Sequence, residues 1–324
     1  MGALTRRTVL AGGAAVAAGG TAFAQQAAPA RVKGPIVWLD MDQKELDDAY
    51  DQSVYAPNQR QITGRYVTDS EAARKRIENP KRLSYGSTPI EGMDLYATKA
   101  AIAPIQIFIH GGAWRVGLSK DYATAAENFI HAGAHYIAVD FNNVIETKGD
   151  LMPMAQQVRS AVAWVHKNAA SFGGDPNRIY VSGHSSGGHL AGVVLVTDWR
   201  KDFGLPADTV KGVVCCSGMF DLKPVRLSAR SSYVKFTDEM EHALSAQRHI
   251  DKIACPVTLC YGSLETPEFQ RQSRDFAAAV KAAGKPADVV VAPGYNHFEI
   301  AETLASPYGY FGRAVVEQMK LRPA

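Results

Sequence analysis

A serine between glycines is the residue of this chain whose setting best supports covalent chemistry. Residues 183–187 read Gly-His-Ser-Ser-Gly, with Ser185 at the centre of a Gly-x-Ser-x-Gly pattern. The apolar run 178–182 precedes it and the small-residue run 187–195 follows it, which predicts a strand, a sharp turn and a helix. Because such a turn exposes the serine hydroxyl above a parallel sheet, Ser185 is the predicted nucleophile of a hydrolase.

A serine hydroxyl is a weak nucleophile at neutral pH, so it needs a base within hydrogen-bond reach. His297 stands in a glycine-containing turn directly after the last apolar run, in the chain order Ser, acid, His that such sheets use. We predict His297 as the base. The competing histidines fall beside the serine, in or next to predicted helices, or in a polar insertion: His131, His135, His166, His184, His189, His242 and His249.

A third group must orient the base, and three carboxylates compete for this role. Glu265 lies in the loop after the run 257–261, where the chain should turn back toward the sheet edge. Glu268 falls close to the start of the following helix, and Asp221 lies one strand earlier. We favour Glu265 as the acid and keep Glu268 and Asp221 as alternatives.

A fourth component is the sequence His-Gly-Gly-Ala-Trp at residues 110–114, at the end of another apolar run. Glycines at this point let backbone N–H groups face a bound carbonyl. The N–H groups of Gly111, Gly112 and Ser186 are therefore the predicted oxyanion hole. The alternative, a plain glycine turn, is weakened by the flanking histidine and tryptophan.

The sequence lacks the common motifs for metals and nucleotide cofactors. The chain has neither a His-Glu-x-x-His nor a Cys-x-x-Cys pattern, and no glycine pattern for nucleotides follows a strand. His184 and His189 are five apart, which suits neither one helix face nor a zinc pair. We expect no metal and no cofactor.

Eight short apolar runs must supply the sheet that positions these residues. Several are β-branched without polar alternation, as in strands buried on both faces. The candidates span residues 83–85, 93–98, 105–110, 136–141, 179–182, 210–217, 257–261 and 287–292.

Amphipathic helix candidates alternate with these runs, at residues 153–170, 269–283 and 308–320. Alternating strands and helices predict an α/β fold with a mostly parallel, twisted sheet flanked by helices. A polar section at 40–81, with its clearest helix at 40–50, is too polar to form its own core and should pack over the catalytic part. The predicted organisation is a single domain over 25–324, with a helical lead-in or cap at 40–81 and a catalytic core at 83–324.

The first 24 residues have the pattern of an export signal. Arg6 and Arg7 precede a weakly apolar Gly/Ala stretch, and residues 22–24, Ala-Phe-Ala, suit signal peptidase. This predicts a twin-arginine (Tat) signal peptide over 1–24, the Tat export machinery as a partner, and a bacterial periplasmic or secreted location. The stretch is too short and too rich in Gly and Ala for a stable membrane anchor.

Composition restricts the remaining partners. The formal net charge is +3, which favours neither nucleic acid nor an anionic membrane, so we expect a small-molecule ester or amide as partner. The cysteines fall in or beside apolar runs and are predicted to be buried, with a disulfide left open: Cys215, Cys216, Cys255 and Cys260.

The motifs at 110–114, 183–190 and 265–273 together resemble those of the α/β-hydrolase superfamily, in the carboxylesterase branch that includes kynurenine formamidase (arylformamidase). The resemblance runs from about residue 40 to the C-terminus and implies the α/β-hydrolase fold. It also implies the roles given above to Ser185, Glu265, His297 and the three N–H groups. This chain has Glu265 where formamidases usually have Asp, and its export signal is at odds with cytoplasmic tryptophan breakdown.

The sequence therefore predicts a serine carboxylesterase that cleaves small esters through an acyl-enzyme. The alternatives are an arylformamidase or amidase acting on N-formyl or N-acyl aryl compounds, and a non-catalytic relative that only binds a ligand. Aromatic residues near the catalytic loops are candidates for the substrate pocket, with core packing as the other interpretation: Trp114, Phe141, Phe220 and Phe298.

Overall fold

The computed structural model describes residues 31–77 and 80–322. From Pro35 onward the described residues form one compact unit. The predicted signal peptide and its cleavage site lie outside the described residues.

A mixed eight-stranded sheet carries the catalytic loops, in the order β10-β9-β8-β7-β5-β6-β4-β3. Strands β10, β9, β8, β7, β5 and β6 run parallel, whereas β4 is antiparallel to both β6 and β3. The bounds are β3 Lys81–Ser84, β4 Gly92–Tyr96, β5 Ala103–Ile109, β6 His135–Val139, β7 Gly174–His184, β8 Gly212–Cys216, β9 Val257–Gly262 and β10 Ala287–Ala292. A separate small hairpin pairs β1 Ile36–Trp38 with β2 Met41–Asp42.

The helices cover both faces of the sheet. The side chains of β5 alternate, since Ile105, Ile107 and Ile109 enter one core cluster and Phe108 enters the other. Helices α4, α5 and α9 contribute to the first cluster, and α3 and α11 to the second. The bounds are α1 Gln43–Ala49, α2 Gln59–Arg76, α3 Ala126–His131, α4 Met152–Asn168, α5 Ser186–Leu195, α6 Trp199–Phe203, α7 Leu222–Leu227, α8 Asp238–Leu244, α9 Pro267–Ala282, α10 Glu299–Glu302 and α11 Tyr310–Gln318.

The predicted fold class is confirmed, and the differences lie at the sheet edges and strand ends. Every predicted strand overlaps an observed one, but β3 and β10 are edge strands with several exposed positions. Strand β7 begins at Gly174, several residues before the predicted start. His135, which the sequence places in or next to a helix, is the first residue of β6.

Strand register brings the catalytic loops to one edge of the sheet. Ile109 of β5 lies opposite Gly183 of β7, so the loop after β5 lies beside the turn after β7. His184 lies opposite Cys216 of β8, and Cys216 lies opposite Cys260 of β9. The carboxyl ends of parallel strands meet at one edge, which is where open α/β sheets place their sites.

Candidate active site

Ser185 occupies the turn between β7 and α5 with a backbone that few non-glycine residues adopt, at φ 59° and ψ −123°. Its N–H donates to the Cys216 carbonyl at 2.9 Å. The turn requires glycine on both sides, because a Cβ at Gly183 would lie 2.1 Å from the Gly187 carbonyl oxygen. A Cβ at Gly187 would lie 2.1 Å from the carbonyl oxygen of Ile109.

The three residues predicted to form a catalytic relay are in hydrogen-bond contact. His297 Nε2 lies 2.8 Å from Ser185 Oγ, and His297 Nδ1 lies 2.9 Å from Glu265 Oε2. A carboxylate only accepts hydrogen bonds, so Nδ1 carries the hydrogen and Nε2 can accept the serine proton. The side chains of Ser185, Glu265 and His297 are all buried.

Glu265 is held by two further donors on the oxygen that does not face His297. Its Oε1 accepts from the Gly262 N–H at 2.7 Å and from the Ser217 hydroxyl at 2.6 Å. Ser217 follows β8 directly, and sequence reasoning missed it because a lone serine after a strand has no distinguishing pattern. These bonds fix the carboxylate in the orientation that reaches His297.

The two rival acids lie elsewhere. Glu268 stands in the first turn of α9 and pairs with Arg271, and it also accepts from the Tyr50 hydroxyl. Asp221 caps α7 through the Lys223 N–H. Both carboxylates are therefore committed to partners outside the Ser185 relay.

The loop after β5 presents free backbone donors next to Ser185. Gly112 has a φ of 118°, which requires glycine, and in the described part of the chain neither its N–H nor that of Ser186 donates a hydrogen bond. The Trp114 N–H donates to Ser186 Oγ at 3.1 Å, so the loop is tied to the start of α5. A Cβ at Gly111 would lie 3.0 Å from the Ser185 Cβ, which shows how closely this loop approaches the serine.

Three buried histidines support this arrangement as neutral rings. His189 accepts from Trp114 Nε1–H at 3.2 Å and donates to the Leu244 carbonyl, and burial lowers its pKa to about 4. His184 donates from Nε2 to the His297 carbonyl at 2.8 Å. Burial and the neighbouring His297 ring lower the pKa of His184 well below its ordinary value.

His110 is the third of these rings and lies between two aromatic side chains. It stacks on Phe141 with centroids 4.4 Å apart and on Tyr122 at 5.7 Å, and burial lowers its pKa. Its Nδ1–H donates to the Gly111 carbonyl at 2.8 Å. Sequence reasoning did not give His110, His184 or His189 these supporting positions, since the rings stacked on His110 and the hydrogen-bond partners of His184 and His189 are distant in the chain.

The four aromatic pocket candidates occupy different surroundings. Trp114 lies on the donor loop, Phe141 packs on His110, and the Phe298 ring makes a T-shaped contact with His297 at 5.2 Å. Phe220 is fully buried and stacks on Phe276 of α9 at 4.6 Å, inside the core. The structure thus places three of them beside the relay or its donor loop and Phe220 in the core.

The lead-in 40–81 contacts the loops that carry the acid and the base. Thr266, next to Glu265, donates through its hydroxyl to the Ala49 carbonyl at the end of α1. The Asn58 side-chain amide donates to the Glu299 carboxylate and accepts a hydrogen bond from the Asn296 side-chain amide. The Tyr66 hydroxyl donates to the Phe298 carbonyl. The predicted packing of this polar section over the catalytic part is therefore observed.

A cavity of about 320 Å³ lies beneath α2, lined by residues that include Tyr66, Phe108, Tyr122 and Leu304. Ser185, Glu265 and His297 do not line it. Tyr122 separates it from the donor loop by stacking on His110. We therefore locate the candidate chemistry at the Ser185 turn rather than in this cavity.

No cluster of three or more metal-ligating side chains occurs in residues 31–77 and 80–322. In the same ranges no helix is both long and apolar enough to cross a membrane. The four cysteines are buried, as their apolar surroundings predicted, and all four are free, a point that the sequence left open.

Comparison with known proteins identifies the family of this chain. The BD-FAE family profile matches residues 93–279, more than half of the chain. The chain belongs to the BD-FAE family. The match extends from β4 into α9 and so includes the serine turn and the acid loop.

Relatives of this BD-FAE protein are hydrolases. Kynurenine formamidase of Danio rerio is 30% identical over 281 residues, covering 82% of this chain and 93% of the relative. Isoprenylcysteine alpha-carbonyl methylesterase ICME of Arabidopsis thaliana is 24% identical and covers 68% of this chain and 56% of the relative. The BD-FAE protein is thus a hydrolase enzyme of the α/β-hydrolase superfamily, with resemblance to esterases and formamidases.

Solved structures share the fold of the BD-FAE protein. A crystal structure from Silicibacter sp. tm1040 superposes with a TM-score of 0.73 at 24% identity, covering 84% of this chain and 99% of that one. Carboxyl esterase 2 of Tuber melanosporum gives a TM-score of 0.61 at 20% identity, covering 74% and 85%. At these identities the likeness supports the α/β-hydrolase fold.

Proposed function

We propose that this hydrolase cleaves small carboxylic esters through a covalent acyl-enzyme, with Ser185 as nucleophile, His297 as base and Glu265 as orienting acid. The observation that carries the proposal is the continuous hydrogen-bonded relay, 2.8 Å from serine to histidine and 2.9 Å from histidine to glutamate. Nucleophile, base and orienting group in mutual contact are the geometric signature of this chemistry.

The reaction proceeds in two halves. Ser185 Oγ attacks the ester carbonyl carbon while His297 Nε2 takes the hydroxyl proton, and Glu265 stabilises the imidazolium that forms. The tetrahedral intermediate collapses with loss of the alcohol, which receives the proton from Nε2. Water then attacks the acyl-enzyme with His297 again as base, releasing the carboxylic acid and free Ser185.

The oxyanion of each tetrahedral intermediate is stabilised by backbone N–H groups. We assign this role to Gly111, Gly112 and Ser186, because the Gly112 and Ser186 donors have no acceptor among the described residues and lie beside the Ser185 turn. Ser186 opens α5, where the first amides of a helix lack intrahelical partners and the helix dipole favours negative charge. We also propose that Trp114, Phe141 and Phe298 line the substrate pocket.

Replacement of the nucleophile tests the proposal. Ser185→Ala should reduce the kcat for 4-nitrophenyl acetate by about 10⁴-fold or more and abolish labelling by a fluorophosphonate, because no other group can form the acyl-enzyme. The control Ser273→Ala removes a buried hydroxyl that bonds only within α9, and it should retain both activities. Retained turnover or labelling in a folded Ser185→Ala protein would contradict the assignment.

Formamide hydrolysis is the second candidate, since a kynurenine formamidase that covers 82% of this chain is 30% identical to it, with 93% of the relative's own length covered. The same relay can attack a formamide carbonyl. The kcat/KM values for N-formylkynurenine and 4-nitrophenyl acetate, measured on one preparation, decide between the two. A higher value for the formamide would make arylformamidase the function.

We also propose Tat-dependent export to the periplasm, with residues 1–24 removed and residues 25–324 retained as a single domain. The support is sequence alone, namely Arg6 and Arg7 ahead of the Gly/Ala stretch and the small residues before Gln25. Cell fractionation should find the processed protein in the periplasm, and the double change Arg6→Lys and Arg7→Lys should retain it in the cytoplasm. Processing of the double variant at the normal rate would exclude the Tat route.

A further inference from the structure

A buried arginine without an acidic partner lies beside the relay. Arg230 is 9% exposed and stands in the turn Ala229–Ser232 that follows α7. Its Nη1 donates to the Tyr233 hydroxyl at 3.1 Å and its Nη2 donates to the Tyr50 carbonyl at 2.9 Å. Its Nε is buried and has no acceptor among the described residues.

The neutral partners of Arg230 leave its charge uncompensated. In the described ranges no carboxylate lies within ion-pair distance of this guanidinium, whereas Arg271 pairs with Glu268 and Asp275 and Arg82 pairs with Asp94 and Asp140. A buried charge is costly unless it is paired and hydrogen-bonded. Departures from this rule are expected where a ligand completes the pairing.

The position of Arg230 links it to the reacting groups on two sides. Its guanidinium carbon lies 5.5 Å from the centre of the Trp114 ring, and Trp114 belongs to the loop that carries the oxyanion donors. On the other side it lies 6.0 Å from the Phe269 ring, which itself packs on the His297 ring at 5.0 Å. One aromatic side chain therefore separates Arg230 from each half of the catalytic machinery.

We propose that Arg230 is a specificity residue that binds a carboxylate on the substrate, so that the enzyme prefers esters or amides carrying a negative charge near the scissile bond. The inference rests on the proposed function of the Ser185 relay and adds the substrate class to it. A guanidinium has five N–H donors, and the hydrogen bonds to Tyr233 and Tyr50 leave further N–H groups of Arg230 to bind a carboxylate. The flanking Trp114 and Phe269 rings hold the fork in place and limit competition from water.

Matched substrate pairs measure this preference. One pair places the charge in the acyl part, 4-nitrophenyl hydrogen glutarate against its methyl ester. The other places it in the leaving group, 4-acetoxybenzoate against methyl 4-acetoxybenzoate. In at least one pair the wild-type kcat/KM should be about tenfold or more higher for the charged ester, since each charge-assisted pair contributes strongly in a desolvated site.

Substitution of Arg230 should remove the preference without removing catalysis. Arg230→Gln should lower kcat/KM for the favoured charged ester about 100-fold, mainly by raising KM. The kcat/KM for the uncharged ester of the same pair should change by less than about threefold. Arg230→Lys keeps the charge but not the planar fork and should recover only part of the preference. The control Arg115→Gln removes an exposed arginine over the face of the Tyr233 ring and should keep the preference.

A binding measurement separates this inference from the proposed function. In the Ser185→Ala background, titration calorimetry with monomethyl glutarate should detect binding that Arg230→Gln weakens about tenfold or more, whether or not esters are turned over. If the relay assignment fails but this Arg230-dependent binding remains, the anion site stands alone. If esters are hydrolysed and both substrate pairs show no charge preference, the inference is wrong and the relay stands.

A structural role for Arg230 predicts a different pattern. If Arg230 served only to join the lead-in to the turn 229–232, Arg230→Gln would lower the melting temperature and reduce activity equally on charged and neutral esters. Equal loss on both substrates, or equal loss of the preference in Arg115→Gln, overturns the proposal. If Arg230→Gln fails to fold, Arg230→Lys provides the test. Its ratio of kcat/KM for the charged ester to kcat/KM for the neutral ester should be lower than that of the wild type, and an unchanged ratio overturns the proposal.

Discussion

The Ser217 hydroxyl holds the carboxylate of Glu265 in one orientation. It donates to Glu265 Oε1 at 2.6 Å, on the side of the carboxylate that does not bond His297. The Gly262 N–H donates to the same oxygen at 2.7 Å. Because a carboxylate that is held by two donors cannot rotate freely, Ser217 acts as a positioning residue for His297 through Glu265.

We predict that Ser217→Ala lowers the kcat for a nitrophenyl ester roughly tenfold and leaves KM nearly unchanged, because one hydrogen bond to a charged group contributes about 1.5–3 kcal/mol. Steady-state kinetics on the purified variant measure the effect. Ser273→Ala is the matched control, since Ser273 is equally buried but its hydroxyl bonds only the Phe269 carbonyl. An unchanged kcat in Ser217→Ala would mean that Gly262 alone positions Glu265.

At this scale the sequence predicted the residues with local patterns and missed those with distant partners. Ser185 was recognisable from its glycines, and His297 and Glu265 from their places after successive strands. Ser217 and Arg230 carry no such pattern, since their partners Glu265 and Tyr50 are far away in the chain. Only the strand register and the packing of the lead-in bring these residues together.

At the scale of elements, the close packing around the turn before α5 leaves no room for a side chain at Gly187. Strand β7, helix α5 and the loop after β5 approach so closely that a Cβ at Gly187 would lie 2.1 Å from the Ile109 carbonyl oxygen. By contrast, Gly64 lies within α2 and a Cβ there would have nothing within 4 Å. Both glycines lie in helices, so a comparison of alanine at the two sites isolates the effect on stability of the close backbone contact at Gly187.

We predict opposite effects for alanine at these two sites. Gly187→Ala should lower the free energy of unfolding by about 3 kcal/mol or more, because backbone must move to relieve the overlap. Gly64→Ala should raise it by roughly 0.5–1 kcal/mol, since alanine loses less backbone entropy in a helix. Urea unfolding followed by circular dichroism measures both, and equal effects would refute the close-approach argument.

Elements were predicted best where the hydrophobic pattern is unambiguous. Buried strands such as β8 read as continuous apolar runs because both of their faces are covered. The start of β7 at Gly174 was missed, since the turn residues Gly-Asp-Pro-Asn obscure the pairing that tertiary contacts impose. Edge strand β10 was placed correctly, but its exposed positions reflect its place in the sheet order, which a single sequence does not display.

At the scale of the whole molecule, the buried histidines make stability depend on pH. Burial lowers the pKa of His110, His184 and His189 in the folded protein. The unfolded chain takes up protons near the ordinary histidine pKa of about 6.5, so it binds more protons than the folded state at mildly acidic pH. The free energy of unfolding therefore does not suffer from these rings above about pH 6.5, where they are neutral in both states, and it declines as the pH falls below that value.

We predict that the free energy of unfolding falls from pH 7 to pH 5, with His189 alone accounting for about 2 kcal/mol, since its pKa in the folded protein is about 4. Urea unfolding at several pH values, away from the range in which carboxylates titrate, measures the slope. His189→Gln should reduce this slope, because glutamine can donate to the Leu244 carbonyl without gaining charge in the unfolded chain. A slope that His189→Gln does not alter would show that other groups cause the loss.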